Sequence, residues 1–386
     1  MDTLIHSLPN LWPSQLLPRI QARRGFPLNR SDLEFTYLGR NAVFRAIHRL
    51  GLVGAEVIAP AYHHGVEISA LLAAGARVRF ARVDSAMRLD LEDVAAQLGP
   101  ETKALYVIHY AGFPQPMKPI VDLARERGLL VIEDCALSLF SRDGSIHLGS
   151  LGDAAIFCFY KTVPVTHGGA LLVPARPRHP QLPKTRPPPL LSTLSHLTGS
   201  LLFSMELELG VPARAARNAV KSLTRQLRRR ADEVDVAVGT QHFELAAVDL
   251  GMSLVAEQVL RATNEQEIVR RRRLHWLYLH EKLGGLRRSP WEELPAGTCP
   301  LFYALRVEDK DRALAVLRAR GIAAVDFWRF GHPSVERERF PEVEALRRQI
   351  VEIPCHQDLN PDQLDRLVLA AREAVREDSG KGGAGT

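Results

Sequence analysis

The sequence predicts an α/β protein in which a largely parallel sheet is covered by helices on both faces. Short apolar runs typical of buried strands alternate with helical segments of about ten residues between positions 57 and 173. Alternation of buried strands with such helices indicates a largely parallel sheet covered on both faces. The chain has 386 residues, 46% hydrophobic and 24% charged, so it can bury a large core in two domains.

The predicted elements of the first half follow in a regular order. Helical periodicity begins near Arg40, with Val43, Phe44, Ile47 and Leu50 on one face. Strands are then predicted at residues 57–59, 78–83, 104–109, 129–133, 154–159 and 170–173. Helices are predicted between them at residues 66–74, 91–98 and 118–127.

The second half is less regular. Residues 174–190 are rich in Pro and Arg and predict an exposed connection, after which helical segments continue to about residue 231. One long helix is predicted from about Leu254 to Leu283, with Arg270 to Arg273 on its exposed side. A smaller αβ unit follows, with strands at 301–307 and 350–353 and helices at 311–320 and 361–376.

These patterns predict the domain organisation. An N-terminal arm (1–34) precedes a large domain (35–255), which contains an atypical helical and basic insertion (174–235). A small C-terminal α/β domain (256–376) and a disordered tail (377–386) complete the chain.

Composition narrows the function classes. The net charge of +6 is mildly basic, which suits anionic substrates such as nucleotides but does not predict a nucleic-acid-binding protein. The four cysteines lack metal-ligand spacing and indicate neither a disulfide framework nor a zinc site. Neither a signal peptide nor a membrane-spanning segment is indicated, so we expect a cytoplasmic protein.

Asp134 and Lys161 are the most informative pair of residues. Each follows or ends an apolar run, where a buried strand emerges into a loop, and ligands bind at that edge of an open α/β sheet. A lysine and a carboxylate in these places suit pyridoxal 5′-phosphate (PLP), which needs an amine for a Schiff base and an acid at its pyridine nitrogen. The alternative is that Asp134 caps a helix and Lys161 is a surface residue.

Three further loops carry candidate residues. Gly39, Arg40 and Asn41 open the first long helix, where free backbone amides favour an anion such as phosphate. His64 follows a strand and can stack on a flat ring; the neighbouring His63 leaves a metal site as a minor alternative. His109 also follows a strand and is open to a purely structural role.

The order of these motifs resembles the DegT/DnrJ/StrS family of sugar aminotransferases, which are fold-type I PLP enzymes. The resemblance is strongest over residues 36–173, weakens over 174–250 and returns in outline to 375. It rests on eight short segments in the right order and spacing, namely 39–42, 56–60, 72–76, 102–104, 107–112, 131–136, 152–157 and Lys161 with Gly168-Gly169. The segments Ile353–His356 and Leu359–Leu364 look like the family's closing strand and helix.

The resemblance implies a role for each candidate residue. Lys161 would form the aldimine with PLP and act as the catalytic acid and base, and Asp134 would face the pyridinium nitrogen. His64 would stack on the ring, while the backbone amides of Arg40 and Asn41 would hold the phosphate. Cys158 stands where the family commonly has a phosphate-binding serine. The family also implies a homodimer.

This chain departs from the family pattern at several positions. Cys158 replaces the serine, and Leu137 stands where glutamine is frequent. His167 replaces a common glutamate, and Asp249–Ser253 stands where a glycine-asparagine-arginine stretch usually completes the neighbouring subunit's site. These departures leave the cofactor prediction intact and put the substrate in doubt.

The leading hypothesis is therefore a PLP-dependent aminotransferase that transfers an amino group, with glutamate the expected donor, to a nucleotide-linked keto-sugar. A sugar dehydratase of the same fold would need the lysine replaced, and Lys161 argues against it. The remaining alternative is a non-catalytic or regulatory protein of this fold in polysaccharide biosynthesis. The basic segment Arg214–Arg230 predicts a solvated helix face or, together with residues from 190 onward, a weak contact with a membrane surface.

Overall fold

A computed structural model describes residues 4–17, 24–174, 182–209, 216, 218–220, 222–223, 242–284 and 289–376. Most of the predicted basic segment 214–230 and the whole predicted tail 377–386 lie outside these residues. Among the described residues, no helix combines the length and apolar character needed to cross a bilayer.

The large domain is built on a seven-stranded sheet with the strand order β1-β9-β8-β5-β4-β2-β3. Strands β3, β2, β4, β5 and β8 pair in parallel, whereas β9 pairs antiparallel with β8, and β1 at the edge pairs antiparallel with β9. The strands are β1 (Leu33–Thr36), β2 (Glu56–Pro60), β3 (Arg77–Ala81), β4 (Thr102–Ile108), β5 (Leu130–Cys135), β8 (Ala154–Cys158) and β9 (Gly169–Leu172). The mostly parallel sheet predicted from the sequence is confirmed.

Helices cover both faces of this sheet, which explains why its central strands β2, β4, β5 and β8 are almost entirely buried. The helices are α1 (Gly39–Arg49), α2 (Val66–Ala73), α3 (Leu91–Gln97) and α4 (Met117–Glu126). Along β4, Tyr106 and Ile108 pack into the core that includes residues of α1 and α2. Leu105 and Val107 point to the other face and pack into a second core with residues of α3 and α4.

The rest of the chain forms helices and a smaller sheet. α5 (Leu190–Leu209), α6 (Leu254–Arg261) and α7 (Glu265–Leu283) precede this second sheet. Its three antiparallel strands have the order β10-β12-β11. They are β10 (Phe302–Arg306), β11 (Val325–Asp326) and β12 (Ile350–Pro354), joined by α8 (Lys310–Ala319) and α9 (Pro341–Gln349) and followed by α10 (Pro361–Arg376).

The prediction of one helix from Leu254 to Leu283 is wrong, because the chain breaks it into α6 and α7. The side chain of Asn264 accepts a hydrogen bond from the Glu267 amide at 3.1 Å and so starts a new helix. The predicted exposure of Arg270 to Arg273 is also wrong for Arg272, which is fully buried. Its guanidinium donates to Gln357 and to backbone carbonyls, which makes the burial of its charge tolerable.

Two strand features lie outside the predicted pattern. β1 begins at Leu33, inside the predicted arm, and pairs with β9 along its whole length. A short hairpin of β6 (Arg142–Asp143) and β7 (Ile146–His147) separates β5 from β8. Both features consist of short strands with partly exposed residues, so neither shows the continuous apolar run that identifies the inner strands.

Candidate active site

A cavity of about 410 Å³ lies between the two sheets. Residues from the ends of β5 and β8 and from the start of α1 form one wall, and residues of the small sheet form the opposite wall. Five of the six predicted site residues line it, namely Arg40, His64, Asp134, Cys158 and Lys161. The fold therefore brings together side chains that are more than a hundred residues apart in the sequence.

Asp134 lies near the end of β5 with its carboxylate held on both oxygens. The Tyr106 hydroxyl donates to Oδ2 at 2.6 Å, and the Ala136 amide donates to Oδ1 at 2.8 Å. Burial and the nearby Glu67 raise the pKa of Asp134 above its usual value, while these two hydrogen bonds and the charge of Lys161 lower it. A positive group in the cavity would favour the ionised form of this carboxylate.

Lys161 enters the cavity from the loop after β8, and no described residue accepts a hydrogen bond from its amine. Burial lowers the pKa of Lys161, but its interactions with Cys158, Tyr160, Asp134 and Glu67 outweigh this effect and raise the pKa. Burial raises the pKa of Tyr160 to about 12, so its hydroxyl stays protonated at neutral pH. The carboxylates of Asp134 and Glu67 are therefore the neighbours that favour the charged amine until a ligand changes the balance.

Cys158, the last residue of β8, lies next to the N-terminal end of α1, where an anion could bind. Its thiol accepts a hydrogen bond from the Gly39 amide, and burial raises its pKa. A Cβ atom at Gly39 would stand 3.3 Å from the Cys158 Cβ, so glycine permits this close approach. Arg40 is buried and lines the same part of the cavity.

Asn41 is the predicted site residue that does not reach the cavity wall. Its side chain donates to the Ala247 carbonyl, and its backbone amide donates to the Leu38 carbonyl at 3.0 Å. Asn41 thus fixes the start of α1 against the segment near residue 247. Of the two residues predicted to hold the phosphate, Arg40 lines the cavity and Asn41 does not.

His64 presents its imidazole to the cavity with a buried Nδ1 that has no hydrogen-bond partner. Burial, followed by the charges of Lys161, Arg40 and Arg347, lowers the pKa of His64 to about 4, so the ring is neutral near pH 7. Glu67 fixes this turn, because its carboxylate accepts from the His64 amide at 2.8 Å and from the Gly65 amide at 3.1 Å. Sequence analysis missed Glu67, although a glutamate in the first turn of a helix commonly binds such amides.

The alternative of a metal site at His63 and His64 receives no support from the geometry. His63 Nδ1 lies 2.9 Å from the Pro60 carbonyl, and its Nε2 accepts from the His332 amide at 2.9 Å. His109 is similarly engaged, since its ring contacts Glu133 at 3.1 Å and accepts from the Gln115 amide at 3.1 Å. Both histidines therefore have structural roles.

The small domain supplies cavity residues that sequence analysis missed. Trp328, Arg329 and Phe330 follow β11, and Glu352 lies in β12. Trp328 has a positive φ of 49°, an unusual backbone conformation for a bulky residue, and its ring lies 6.1 Å from that of His64. No motif identified these residues, because they lie far along the chain from the strand ends of the large sheet.

His167 stands where glutamate is common and has a structural role. It stacks on Tyr37 at 4.4 Å between ring centroids, and its Nε2 accepts from the Ser253 amide at 3.1 Å. Burial lowers the pKa of His167 to about 3, so the ring is neutral. This contact attaches the segment 249–253 to the loop that follows Lys161.

The residues of the cavity fit PLP. The buried, unpartnered Nδ1 of His64 and the free amine of Lys161 face the same space as the carboxylate of Asp134. The start of α1, with Gly39 and Arg40, offers a place for the phosphate. Lys161, Asp134 and His64 are the residues that would hold the cofactor ring.

Known proteins with similar sequences are named as sugar aminotransferases or nucleotide-sugar enzymes. Residues 39–175 match the DegT/DnrJ/EryC1/StrS aminotransferase family. The UDP-N-acetyl-3-dehydro-α-D-glucosamine 3-aminotransferase of Acidithiobacillus ferrooxidans is 24% identical over 355 residues, which are 87% of this chain and 82% of that protein. GDP-perosamine synthase of Escherichia coli O157:H7 is 33% identical over 138 residues, which are only 35% of this chain and 38% of that protein.

Solved structures share the fold over most of the chain. DesI, solved in the presence of its TDP-sugar product, has a TM-score of 0.67 at 20% identity and covers 98% of this chain and 95% of its own. The aminotransferase TlmJ from Streptoalloteichus hindustanus has a TM-score of 0.62 at 24% identity, covering 90% of this chain and 86% of its own. At these identities the likeness shows the fold alone. The match of residues 39–175 to the DegT/DnrJ/EryC1/StrS aminotransferase family confirms the resemblance predicted from the sequence motifs.

Proposed function

We propose that this protein is a PLP-dependent aminotransferase that transfers an amino group, with glutamate as the donor, to a keto-sugar linked to a nucleotide. The observation that carries the proposal is the convergence of Lys161, Asp134 and His64 on one cavity. The two relatives named above support the substrate class, because both are named for nucleotide-linked sugars.

Each residue has a distinct part in this reaction. PLP, when bound, supplies an electron-withdrawing ring that stabilises negative charge at the donor's α-carbon. Asp134 would keep the pyridine nitrogen protonated, and Tyr106 holds the Asp134 carboxylate in place. Lys161 would hold the cofactor through its amine and would act as the general acid and base for the proton of the donor's α-carbon. His64, neutral and half-buried, would pack on the ring face and exclude water from it.

A cation at Asp134 also helps Lys161 to react. The amine must be neutral to act as a nucleophile or a base, and its negative neighbours oppose this. A positive ring nitrogen beside Asp134 offsets one of those neighbours and favours the neutral amine. The presence of both Lys161 and Asp134 in one site also argues against the non-catalytic alternative.

Borohydride reduction of the PLP-loaded protein, followed by peptide mapping, tests the attachment site. We expect the pyridoxyl group on Lys161 and nowhere else. Lys161→Ala should abolish both this label and the half-reaction with L-glutamate, whereas Lys118→Ala, which alters a side chain 87% exposed, should change neither. A label on another lysine would exclude Lys161 from this role.

The wider setting of the enzyme is also part of the proposal. A role in polysaccharide biosynthesis, a cytoplasmic location and a homodimer are each supported by the family resemblance alone. A membrane contact through residues 190–230 is supported by the basic composition of that segment. Sedimentation of the PLP-loaded protein, with and without vesicles of anionic lipid, tests the dimer and the membrane contact together.

A further inference from the structure

Glu352 occupies the centre of the small-domain sheet, on the side that faces the cavity. It lies in β12, the middle strand, and pairs with Ala304 of β10 and Val325 of β11. Its neighbours in the strand, Val351 and Ile353, are fully buried in the core. The alternation along the strand therefore directs the Glu352 side chain to the opposite side, where it lines the cavity.

Glu352 is half-buried, and no protein group satisfies its carboxylate within the described part of the chain. A carboxylate held away from bulk water needs hydrogen-bond donors. Glu67 and Asp134 have backbone or hydroxyl donors, but no described residue donates to the carboxylate of Glu352. Lys310, the nearby cation of the small domain, is bound instead to Asp326 and to the carbonyls of two other residues.

The electrostatics agree that this carboxylate costs the protein stability. Burial raises the pKa of Glu352 to about 7, Lys161 and Lys310 lower it, and Asp326 raises it. Contacts within the protein therefore do not explain why an acid stands at this position. A ligand in the cavity is the partner that remains.

We infer that Glu352 determines substrate specificity by accepting hydrogen bonds from hydroxyl groups of the sugar. The inference rests on the proposed function. Among the groups that such a reaction brings into the cavity, the sugar hydroxyls and the amino group of the donor are hydrogen-bond donors, and the comparison of sugar binding with the glutamate half-reaction separates the two. The carboxylates of the amino donor and the diphosphate of the nucleotide are anions, which Glu352 repels.

Binding of matched nucleotides tests this inference. UDP-N-acetylglucosamine and UDP, and in parallel dTDP-glucose and dTDP, are titrated calorimetrically into the PLP-loaded protein and into its Glu352→Gln and Glu352→Val variants. We expect the wild type to bind each sugar nucleotide more tightly than the matching diphosphate. This ratio should fall about ten-fold in the valine variant and less in the glutamine variant, since a hydrogen bond to a charged group is involved. Glu336→Gln, which alters an exposed acid, should leave the ratio unchanged.

Thermal unfolding without nucleotide provides an independent readout. If Glu352 serves a ligand, its carboxylate destabilises the protein when no ligand is bound. Glu352→Val should therefore raise Tm at pH 8 by about 1–3 °C. Glu67→Gln should lower Tm, because Glu67 serves two backbone amides. A fall in Tm for Glu352→Val would instead assign a structural role to Glu352.

The outcomes separate this inference from the proposed function. Absence of a half-reaction between the wild type and L-glutamate contradicts the proposed function, whatever the nucleotides do. An unchanged ratio of sugar nucleotide to diphosphate affinity in Glu352→Val, or no such preference in the wild type, overturns the role of Glu352. A larger loss in the glutamate half-reaction than in sugar binding also overturns it, by assigning Glu352 to the amino donor.

Discussion

Replacing Tyr106 with Phe removes one hydroxyl from the protein and tests how Asp134 is kept ionised. That hydroxyl donates to Asp134 Oδ2 at 2.6 Å, and both residues are buried. Burial and Glu67 already raise the pKa of Asp134, so loss of the donor should raise it further. A hydrogen bond to a charged group contributes about 1.5–3 kcal/mol, and we expect the free energy of unfolding to fall by that amount at pH 8.

The pH dependence of this loss follows from its sign. A carboxyl whose pKa is higher in the folded protein than in the unfolded chain costs stability only when it is ionised. Below the pKa of the unfolded chain, about 3.9, the carboxyl is protonated in both states and does not lower the free energy of unfolding. As pH rises through the pKa of the folded protein, the carboxyl ionises and this stability is lost. The difference between wild type and Tyr106→Phe should therefore be largest at pH 8 and shrink as pH falls toward 4.

Urea unfolding of the protein without cofactor, at pH 8 and at pH 5, measures both effects. Tyr303→Phe is the matched control, because Tyr303 is fully buried but its hydroxyl lies 3.4 Å from His280 Nδ1, too far for a strong bond. We expect the control to lose less than about 1 kcal/mol. Equal losses for both variants, or a loss for Tyr106→Phe that does not depend on pH, would refute this account of Asp134.

Three further predictions concern other buried groups. Cys158→Ser should tighten PLP binding several-fold in a titration of the apo-protein, because a hydroxyl holds phosphate better than a thiol does; unchanged affinity would place the phosphate elsewhere. Glu67→Gln should lower the free energy of unfolding by about 1–2 kcal/mol in urea, because an amide has one accepting oxygen for the two backbone N–H groups that the carboxylate serves; an unchanged midpoint would contradict this. Arg272→Met should cost at least about 3 kcal/mol, since several buried acceptors lose their donor; the exposed Arg270→Met serves as its control, and a similar loss in both would be inconsistent with the structure.

Sequence analysis predicted the parts of the molecule that local patterns determine. The inner strands of the large sheet are continuous apolar runs, and their observed bounds differ from the predicted ones by one or two residues. Asp134 and Lys161 lie where these runs end, so their convergence follows from the geometry of a parallel sheet. The roles proposed for His64 and Cys158 rest on the family resemblance, which the order of the motifs carries.

The rest depends on contacts between distant parts of the chain. Glu352 has a local signal, a single acid within the apolar strand Ile350–Pro354, but only tertiary structure shows that this side faces the cavity. The burial of Arg272 depends on acceptors from residues 162, 300, 301 and 357, which no local window contains. The break before α7 could have been predicted from the sequence, because Asn264 followed by acidic residues is the pattern of a helix start.

Arg347 connects the small domain to the large one. From α9 it donates to the carbonyls of Ala61 and His63, at the end of β2, and to the carbonyl of Trp328 beside the cavity. Unfolding of the small domain alone would leave the large-domain carbonyls without their donor and would expose the side chains packed between the sheets. The large and small domains should therefore lose their structure in a single cooperative transition, and proteolysis under native conditions should yield no stable large-domain fragment.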